Sequence, residues 1–461
     1  MKSIDRGLIG LILAVVLVGG TLPTGCSERY TSRADRSKSV KSLTVLTPVN
    51  ADIQTAFADG FSFWYQRTYD KNVEIEIDWV VRGTPTCVEL VRGWFTSAPE
   101  ARLRSTPDVL FGGGVTDHQV LAEAGWARPV ALGEVAESLP TDIGGIPTRD
   151  EEGRWHAIAL ARFGILYNQQ VCEARRIDPP ECWSDLGDPR FAGWLGLADP
   201  SASGTTRQSF MLILQEQGWE RGWATIMRIL GNARALTQRS TQALDQVVSG
   251  ESIAAFAINY DGQRRVAESG GRLRFVVPQG VSSVSPAVVS VLKSAREPAL
   301  AEAFVRYNLS EEGQKLWGIR SEYGSVNAPT LYHYPIVPST YEKFGAELAM
   351  QDNPLTLDHG RDLDLAKSRA QLAALEPLLT TATHGGNHLL LQRAWEAITS
   401  AGMPKGPLAE LTAAPLDENG AYALGKRYRQ LSEYESLQMV AEWTQRMRAR
   451  YERVTEGLSE S

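Results

Sequence analysis

Cysteine is scarce in this chain, and neither a basic excess nor a long apolar run is present. Four cysteines in 461 residues exclude a fold built on a framework of disulfides. Lys and Arg total 47 against 54 for Asp and Glu, and this net charge of −7 argues against a dedicated nucleic-acid binder. With 43% hydrophobic and 22% charged residues, the composition predicts a large multidomain globular protein.

The N-terminal segment has the features of an export signal. Lys2 and Arg6 precede an apolar run over residues 8–18, and Gly19-Gly20 follow it. The run is shorter than the ~20 residues that a membrane-spanning helix needs. A basic start, a short apolar stretch and small residues together predict export.

The end of this segment resembles the lipobox of bacterial lipoproteins. Residues 22–26 read L-P-T-G-C, although Pro23 stands where that motif has an aliphatic residue. The resemblance implies cleavage after residue 25, acylation of Cys26 and a membrane lipid anchor, against a plain cleaved signal or an uncleaved anchor. We therefore expect a signal over residues 1–25 and, because the next stretch is polar and unpatterned, a tether over 26–41.

The other thiols predict no metal site. Cys172 and Cys182 bracket a loop with two prolines, so a disulfide is expected there, the alternative being two buried thiols. Cys87 is expected to be a small core residue. Because neither a CxxC spacing nor a Cys/His cluster occurs, we predict no metal centre and no cofactor.

Apolar periodicity predicts an α/β fold with two lobes. Strand patterns at 42–47, 73–81 and 108–111 alternate with helix patterns at 53–69 and 88–96, which indicates a mainly parallel sheet. The pattern then restarts, with predicted strands at 155–167, 194–198, 253–258, 275–278 and 287–292.

These elements predict a chain that crosses between the lobes more than once. We assign residues 42–150 and 280–345 to the first lobe and 151–279 to the second. Residues 346–461 lack a strand pattern and form a predicted helical extension, which either caps a lobe or faces a partner. Its predicted helices cover 362–379, 388–400 and 424–454.

One turn has the composition of an anion-binding site. A predicted strand ends at residue 198 and a helix begins near Gly204, with Ser201, Ser203 and Thr205 around the turn. Small residues leave the backbone N–H groups open, and the helix dipole adds positive potential. The alternative is ordinary helix capping by Ser203 or Ser201.

The sequence around this turn resembles a known family. Residues 183–193 (WSDLGDPRFAG), 198–205 (ADPSASGT), 285–289 (SPAVV) and 309–314 (LSEEGQ) are similar to segments of the ferric-type substrate-binding proteins of bacterial ABC importers. The likeness covers residues 42–345. It implies a type II fold of two α/β lobes that close on a solute without chemical conversion. It also implies a periplasmic or cell-surface protein that delivers this solute to an ABC permease in the inner membrane.

Cleft residues are expected at the ends of the predicted strands. Glycine permits close approach of a ligand, and Arg82 can pair bidentately with a phosphate or carboxylate, unless it is merely solvated. The candidate ligand-binding residues are Thr47, Arg82, Thr84, Gly113, Gly114, Ser201, Ser203, Gly204, Thr205, Asn259, Tyr260 and Asp261.

The ligand predicted from these residues is a small organic anion, phosphorylated or carboxylated. Ferric binders of the family use two adjacent tyrosines, whereas this chain has one, in Asn259-Tyr260-Asp261. Ferric iron bound by Tyr260 and Asp261 remains the alternative, as does a ligand-sensing lipoprotein whose extension contacts a receptor. An exported hydrolase is disfavoured because no nucleophile–base pair can be nominated.

Overall fold

A computed structural model describes residues 39–96, 106–324 and 329–459, so the predicted signal and Cys26 lie outside the described residues. The strands in these ranges are β1 (Ser39–Thr47), β2 (Val73–Val81), β3 (Val109–Phe111), β4 (Ala127–Arg128), β5 (Asp142–Ile143), β6 (Ile146–Pro147), β7 (His156–Asn168), β8 (Leu195–Ala198), β9 (Ala233–Thr237), β10 (Ala254–Ile258), β11 (Leu273–Val276), β12 (Val284–Leu292) and β13 (Tyr334–Pro335). The α-helices are α1 (Ala51–Thr68), α2 (Thr84–Thr96), α3 (Val115–Glu123), α4 (Val135–Ser138), α5 (Gln169–Arg175), α6 (Gly204–Gln217), α7 (Trp219–Asn232), α8 (Ser240–Ser249), α9 (Asn259–Glu268), α10 (Pro298–Leu309), α11 (Glu311–Gly318), α12 (Pro338–Phe344), α13 (Leu365–Thr383), α14 (Asn387–Ser400), α15 (Lys405–Thr412), α16 (Glu418–Tyr428) and α17 (Glu433–Ser459).

The first lobe is a sheet with strand order β2-β1-β3-β12-β7. β1 is parallel to β2 and β3, whereas β12 is antiparallel to β3 and to the first half of β7. In β2, Val73 and Ile75 are buried while Glu74 and Glu76 are exposed, as the alternating sequence predicts.

The second lobe is built on the other half of the same long strand. β10 and β11 pair antiparallel with residues 163–168 of β7, and β8 is parallel to β10 and β9. β7 is buried along nearly its whole length, which explains its run of small and apolar residues. The two-lobed α/β fold predicted from the sequence is thereby confirmed.

The first strand begins earlier than the sequence predicts. β1 starts at Ser39, and its first three residues pair with Val73, Glu74 and Ile75 of β2. The end of the predicted tether, residues 39–41, therefore belongs to the sheet because β2 supplies partners for its backbone.

The predicted disulfide between Cys172 and Cys182 is wrong, because both thiols are free. Cys172 on α5 is buried in the core of the second lobe, whereas the Cys182 sulfur lies 3.3 Å from Ser184 Oγ. Cys87 is fully buried beside Leu46 and Val91, as expected for a core residue.

The C-terminal extension packs on the second lobe through a continuous apolar core. Trp395 of α14 is 1% exposed, and its Nε1 donates to Asn232 Oδ1 at 2.6 Å. A Cβ atom on Gly231 would lie 2.7 Å from Trp395 Cγ, so this close packing requires glycine in α7. Trp219 Nε1 donates to Leu416 O at 2.9 Å. The extension and the second lobe thus share one core.

The long last helix predicted over 424–454 is in fact two helices. α16 ends at Tyr428 and α17 begins at Glu433. Ser432 starts the new helix, because its Oγ accepts from Glu435 N at 3.3 Å while the Glu435 carboxylate accepts from Ser432 N at 2.8 Å. The sequence analysis also missed the short helix α15.

None of the helices in the described parts of the chain is both long enough and apolar enough to cross a membrane.

We predict that Trp395→Ala lowers the free energy of unfolding by about 3–5 kcal/mol, because a large buried side chain leaves a cavity in the shared core. Leu389→Ala on the same helix is the control, since Leu389 is 53% exposed and its loss should change stability by less than about 0.5 kcal/mol. Urea unfolding followed by tryptophan fluorescence measures both. Equal effects of the two substitutions would contradict a shared core.

Candidate ligand-binding site

A cavity of about 590 Å³ lies between the two lobes. Its size is within the range of small-molecule sites. Both lobes line it, and so does Leu372 of the C-terminal extension.

Six helices begin at the wall of this cavity. They follow strand ends in both lobes, where backbone loops turn into helices and where ligands of α/β folds commonly bind. The residues at these helix starts that line the cavity are Asn50 and Ala51 (α1), Thr84 (α2), Gly114 (α3), Ser203, Gly204 and Thr205 (α6), Arg239, Ser240 and Thr241 (α8), and Tyr260 and Asp261 (α9). First-turn N–H groups have no partner within a helix, so their convergence makes the cavity favourable for an anion.

Glycines allow close packing around the cavity, both within the first lobe and between the lobes. Gly112 and Gly113 have φ values of 88° and 92°, a conformation that glycine adopts without strain. A Cβ on Gly113 would lie 3.1 Å from Thr84, and one on Gly83 would lie 2.7 Å from the Ala202 carbonyl oxygen of the other lobe.

The cavity also holds three arginines, Arg82, Arg207 and Arg239. Arg207, on the second turn of α6, is only 17% exposed, and its Nη2 lies 3.9 Å from Asp117 Oδ1. Its Nε is buried without a hydrogen-bond partner. Burial raises the pKa of Asp117, and Arg207 partly offsets this rise. A buried guanidinium with an unused donor is suited to a ligand oxygen.

Tyr260 and Asp261 already have partners within the protein. Asp261 Oδ1 accepts from Asn50 Nδ2 at 3.3 Å and lies 3.8 Å from Arg265 Nη1, so its charge already has partners. The Tyr260 ring stacks on His333 at 4.0 Å. Burial raises the pKa of both Tyr260 and Asp261, which disfavours the anionic forms that would bind a metal ion.

Side-chain pairs join the two lobes across the cleft. Besides Asn50–Asp261 and Asp117–Arg207, Asp52 Oδ2 lies 3.5 Å from Arg264 Nη1. Each pair joins a residue of the first lobe to one of the second.

Most of the residues expected from the sequence come together in this cavity. Those that line it are Arg82, Thr84, Gly113, Gly114, Ser203, Gly204, Thr205, Tyr260 and Asp261. The Ser203 hydroxyl also caps α6, accepting from Thr206 N at 3.2 Å, so the capping alternative describes a real contact as well.

Thr47, Ser201 and Asn259 were expected in the cleft but do not line the cavity. The buried Thr47 hydroxyl donates to Phe111 O at 2.7 Å and joins β1 to β3. The Ser201 hydroxyl donates to Asp199 Oδ1 at 2.7 Å. Asn259 is fully buried and accepts from Arg162 N at 2.8 Å, so its amide stabilises the crossover between lobes.

Sequence reasoning missed several residues of the cavity. Arg207 lies one helical turn after Ser203 and Gly204, so helical spacing would have placed it on their face. Arg239 and Ser240 follow β9, a strand that the sequence analysis did not identify. Leu372 comes from the extension, whose packing no local pattern reveals.

The residues that the structure describes contain no group of three or more His, Cys, Asp or Glu side chains arranged to hold a metal ion.

Comparison with known proteins identifies the type of fold. Residues 107–336 match the family model described as bacterial extracellular solute-binding protein. The chain is 32% identical over 266 residues to the phosphoglycerate transport regulatory protein PgtC of Salmonella typhimurium. This alignment covers 57% of this chain and 62% of that relative. The match thus spans less than two thirds of the relative's length.

Two solved structures have a similar fold. The periplasmic binding protein AfuA from Actinobacillus pleuropneumoniae, with fructose-6-phosphate bound, aligns with a TM-score of 0.57 at 20% identity over 77% of this chain and 98% of AfuA. Iron-bound HitA from Pseudomonas aeruginosa aligns with a TM-score of 0.54 at 21% identity over 73% of this chain and 99% of HitA. Both similarities concern the fold.

A buried histidine beneath the glycine loop makes stability depend on pH. The His118 ring is fully buried, with Nε2 3.0 Å from Gly112 O and Nδ1 2.7 Å from Ser290 Oγ. Burial lowers the pKa of His118 to about 4. The unfolded chain takes up a proton near pH ~6.5 and the folded protein does so only near pH ~4, so stability falls as the pH drops through this window.

We predict that His118→Gln shows a smaller loss of unfolding free energy between pH 7 and pH 4.5 than the wild type. The difference should be about 2–3 kcal/mol, because each pKa unit corresponds to ~1.4 kcal/mol. Urea unfolding at the two pH values measures it. The same pH dependence in both proteins would show that His118 does not titrate in this way.

Proposed function

We propose that this chain, which belongs to the bacterial extracellular solute-binding proteins, captures a phosphorylated organic anion in the cavity between its two lobes. The observation that carries the proposal is that six helix N-termini line the same cavity as Arg207, whose buried Nε has no partner. Phosphate groups bind readily at helix N-termini and to arginine. The names of its relatives agree, since PgtC is a phosphoglycerate transport regulatory protein and AfuA holds fructose-6-phosphate.

The number of donors favours a phosphate ester over a simple carboxylate. A phosphate monoester carries about −1.5 to −2 charges at neutral pH and three acceptor oxygens. Among the described residues that line the cavity, three are arginines and two carry carboxylates, and one of these, Asp261, is already paired with Arg265. A volume of about 590 Å³ exceeds what inorganic phosphate alone would occupy, so an organic portion is expected.

Ferric iron, the alternative ligand, is less consistent with these side chains. A ferric site needs anionic oxygen donors, and this cavity offers one tyrosine whose burial opposes ionisation. Its arginines also repel a cation. Similarity to iron-bound HitA supports the fold and does not distinguish the ligands.

The proposed role is capture and delivery without chemical conversion. Of the solved structures named above, AfuA is a periplasmic binding protein and HitA holds iron. The export-like segment before Cys26 supports a lipid-anchored protein outside the inner membrane, and delivery to an ABC permease completes the proposed role.

Ligand sensing is a second candidate function. It is favoured by the name of PgtC, a phosphoglycerate transport regulatory protein, and by the C-terminal extension. In a sensor, the closed protein signals through a receptor. Deleting a cognate permease would then leave the response to the solute intact, whereas delivery requires that permease.

We predict that Arg207→Gln weakens binding of a phosphate ester about ten- to hundredfold, because a charge-assisted hydrogen bond contributes roughly 1.5–3 kcal/mol. Isothermal titration with phosphoglycerate, fructose 6-phosphate and ferric citrate measures the affinities. Arg446→Gln is the control, since the Arg446 side chain is 62% exposed and pairs with Glu442 on the surface of α17.

Tyr260→Phe separates the two ligand classes in the same titration. The phosphate-ester proposal expects this variant to retain affinity within a few fold, because the ring stacking on His333 persists. Tight ferric binding that Tyr260→Phe abolishes, together with no binding of either phosphate ester, would overturn the proposal.

A further inference from the structure

We infer that Leu372 of the C-terminal extension is a specificity-determining residue, which limits the size of the ligand's organic portion. The inference rests on the proposed capture of a phosphate ester. It gives the extension a direct role in ligand selection, in a part of the chain beyond the residues that the family model matches.

Leu372 lies where the extension meets both lobes. It lines the main cavity and also an adjoining smaller one of about 20 Å³, which has room for about one water molecule. Thr116 of the first lobe, Gln208 of the second and Pro286 of β12 line both cavities as well. The Leu372 side chain therefore contributes to the boundary of the ligand space.

The neighbours of Leu372 hold its helix against both lobes. Gln371 is fully buried, and its Oε1 accepts from Gln215 Nε2 of α6 at 3.0 Å. Arg369 Nη2 donates to Glu123 Oε2 of α3 at 2.7 Å. On the adjoining face, Leu375 belongs to the core shared with the second lobe. Because these contacts hold α13 in place, Leu372 forms a fixed part of the cavity wall.

The position of Leu372 relative to the proposed phosphate site determines which part of the ligand it contacts. The proposed phosphate site lies at the start of α6, around Gly204, and Gln208 is one turn further along the same helix. A ligand held by its phosphate that extends past Gln208 meets the apolar Leu372. Growth of the organic portion in this direction is limited by the volume of that side chain.

Paired substitutions in the full-length protein test this inference. Leu372→Ala should raise the affinity for fructose 6-phosphate relative to phosphoglycerate about tenfold, and Leu372→Phe should lower that ratio about tenfold. Inorganic phosphate, which does not reach Leu372, should bind equally to all three proteins. Leu390→Ala on α14 is the matched control, because Leu390 packs partly buried against the same core without lining either cavity.

The outcomes separate the inference from the proposed function. Opposite shifts of the ratio in the Ala and Phe variants, with no shift in Leu390→Ala, support it. Wild-type binding of a phosphate ester with ratios unchanged in both variants overturns the inference and leaves the proposed function standing. If the wild type binds none of the three phosphates, the proposed function fails, and the inference fails with it.

Discussion

Both lobes depend on one continuous strand, β7. Its first half pairs with β12 in the first lobe and its second half pairs with β10 and β11 in the second. A strand shared in this way fixes the two sheets relative to each other across a short crossover. Asn259 strengthens the crossover by accepting from Arg162 N in the middle of β7 and donating to Tyr332 O. With the sheets so placed, the helix starts of both lobes face the same cavity, and their partial positive charges add.

The C-terminal extension contacts both lobes. It shares an apolar core with Trp219 of the second lobe and Val115 of the first, and the Arg369–Glu123 ion pair adds a polar contact with the first lobe. His384 at the end of α13 also pairs with Asp199, which in turn holds Ser201 beside the anion-binding turn.

The sequence was sufficient for the parts of the fold that local patterns encode. Alternation in β2 and the small residues around Gly204 predicted a strand and a helix start that the structure confirms. Local patterns failed where the outcome depends on long-range packing. Cys172 is near Cys182 in sequence, yet Cys172 is buried in the lobe core and the two thiols form no disulfide bond. Arg239 and Leu372 enter the site through β9 and α13, whose positions depend on tertiary contacts.

We propose that the positive potential of the converging helix starts and arginines selects a phosphate group. Phosphorus NMR of the complex with phosphoglycerate tests this selection, because the ³¹P shift reports the ionisation of the bound group. A free monoester titrates near pH ~6, and a site of this kind should lower that phosphate pKa by stabilising the dianion. We predict a bound resonance whose shift stays constant from pH 7.5 to 5.5. A bound resonance that titrates like the free ester, or no bound resonance at all, would contradict it.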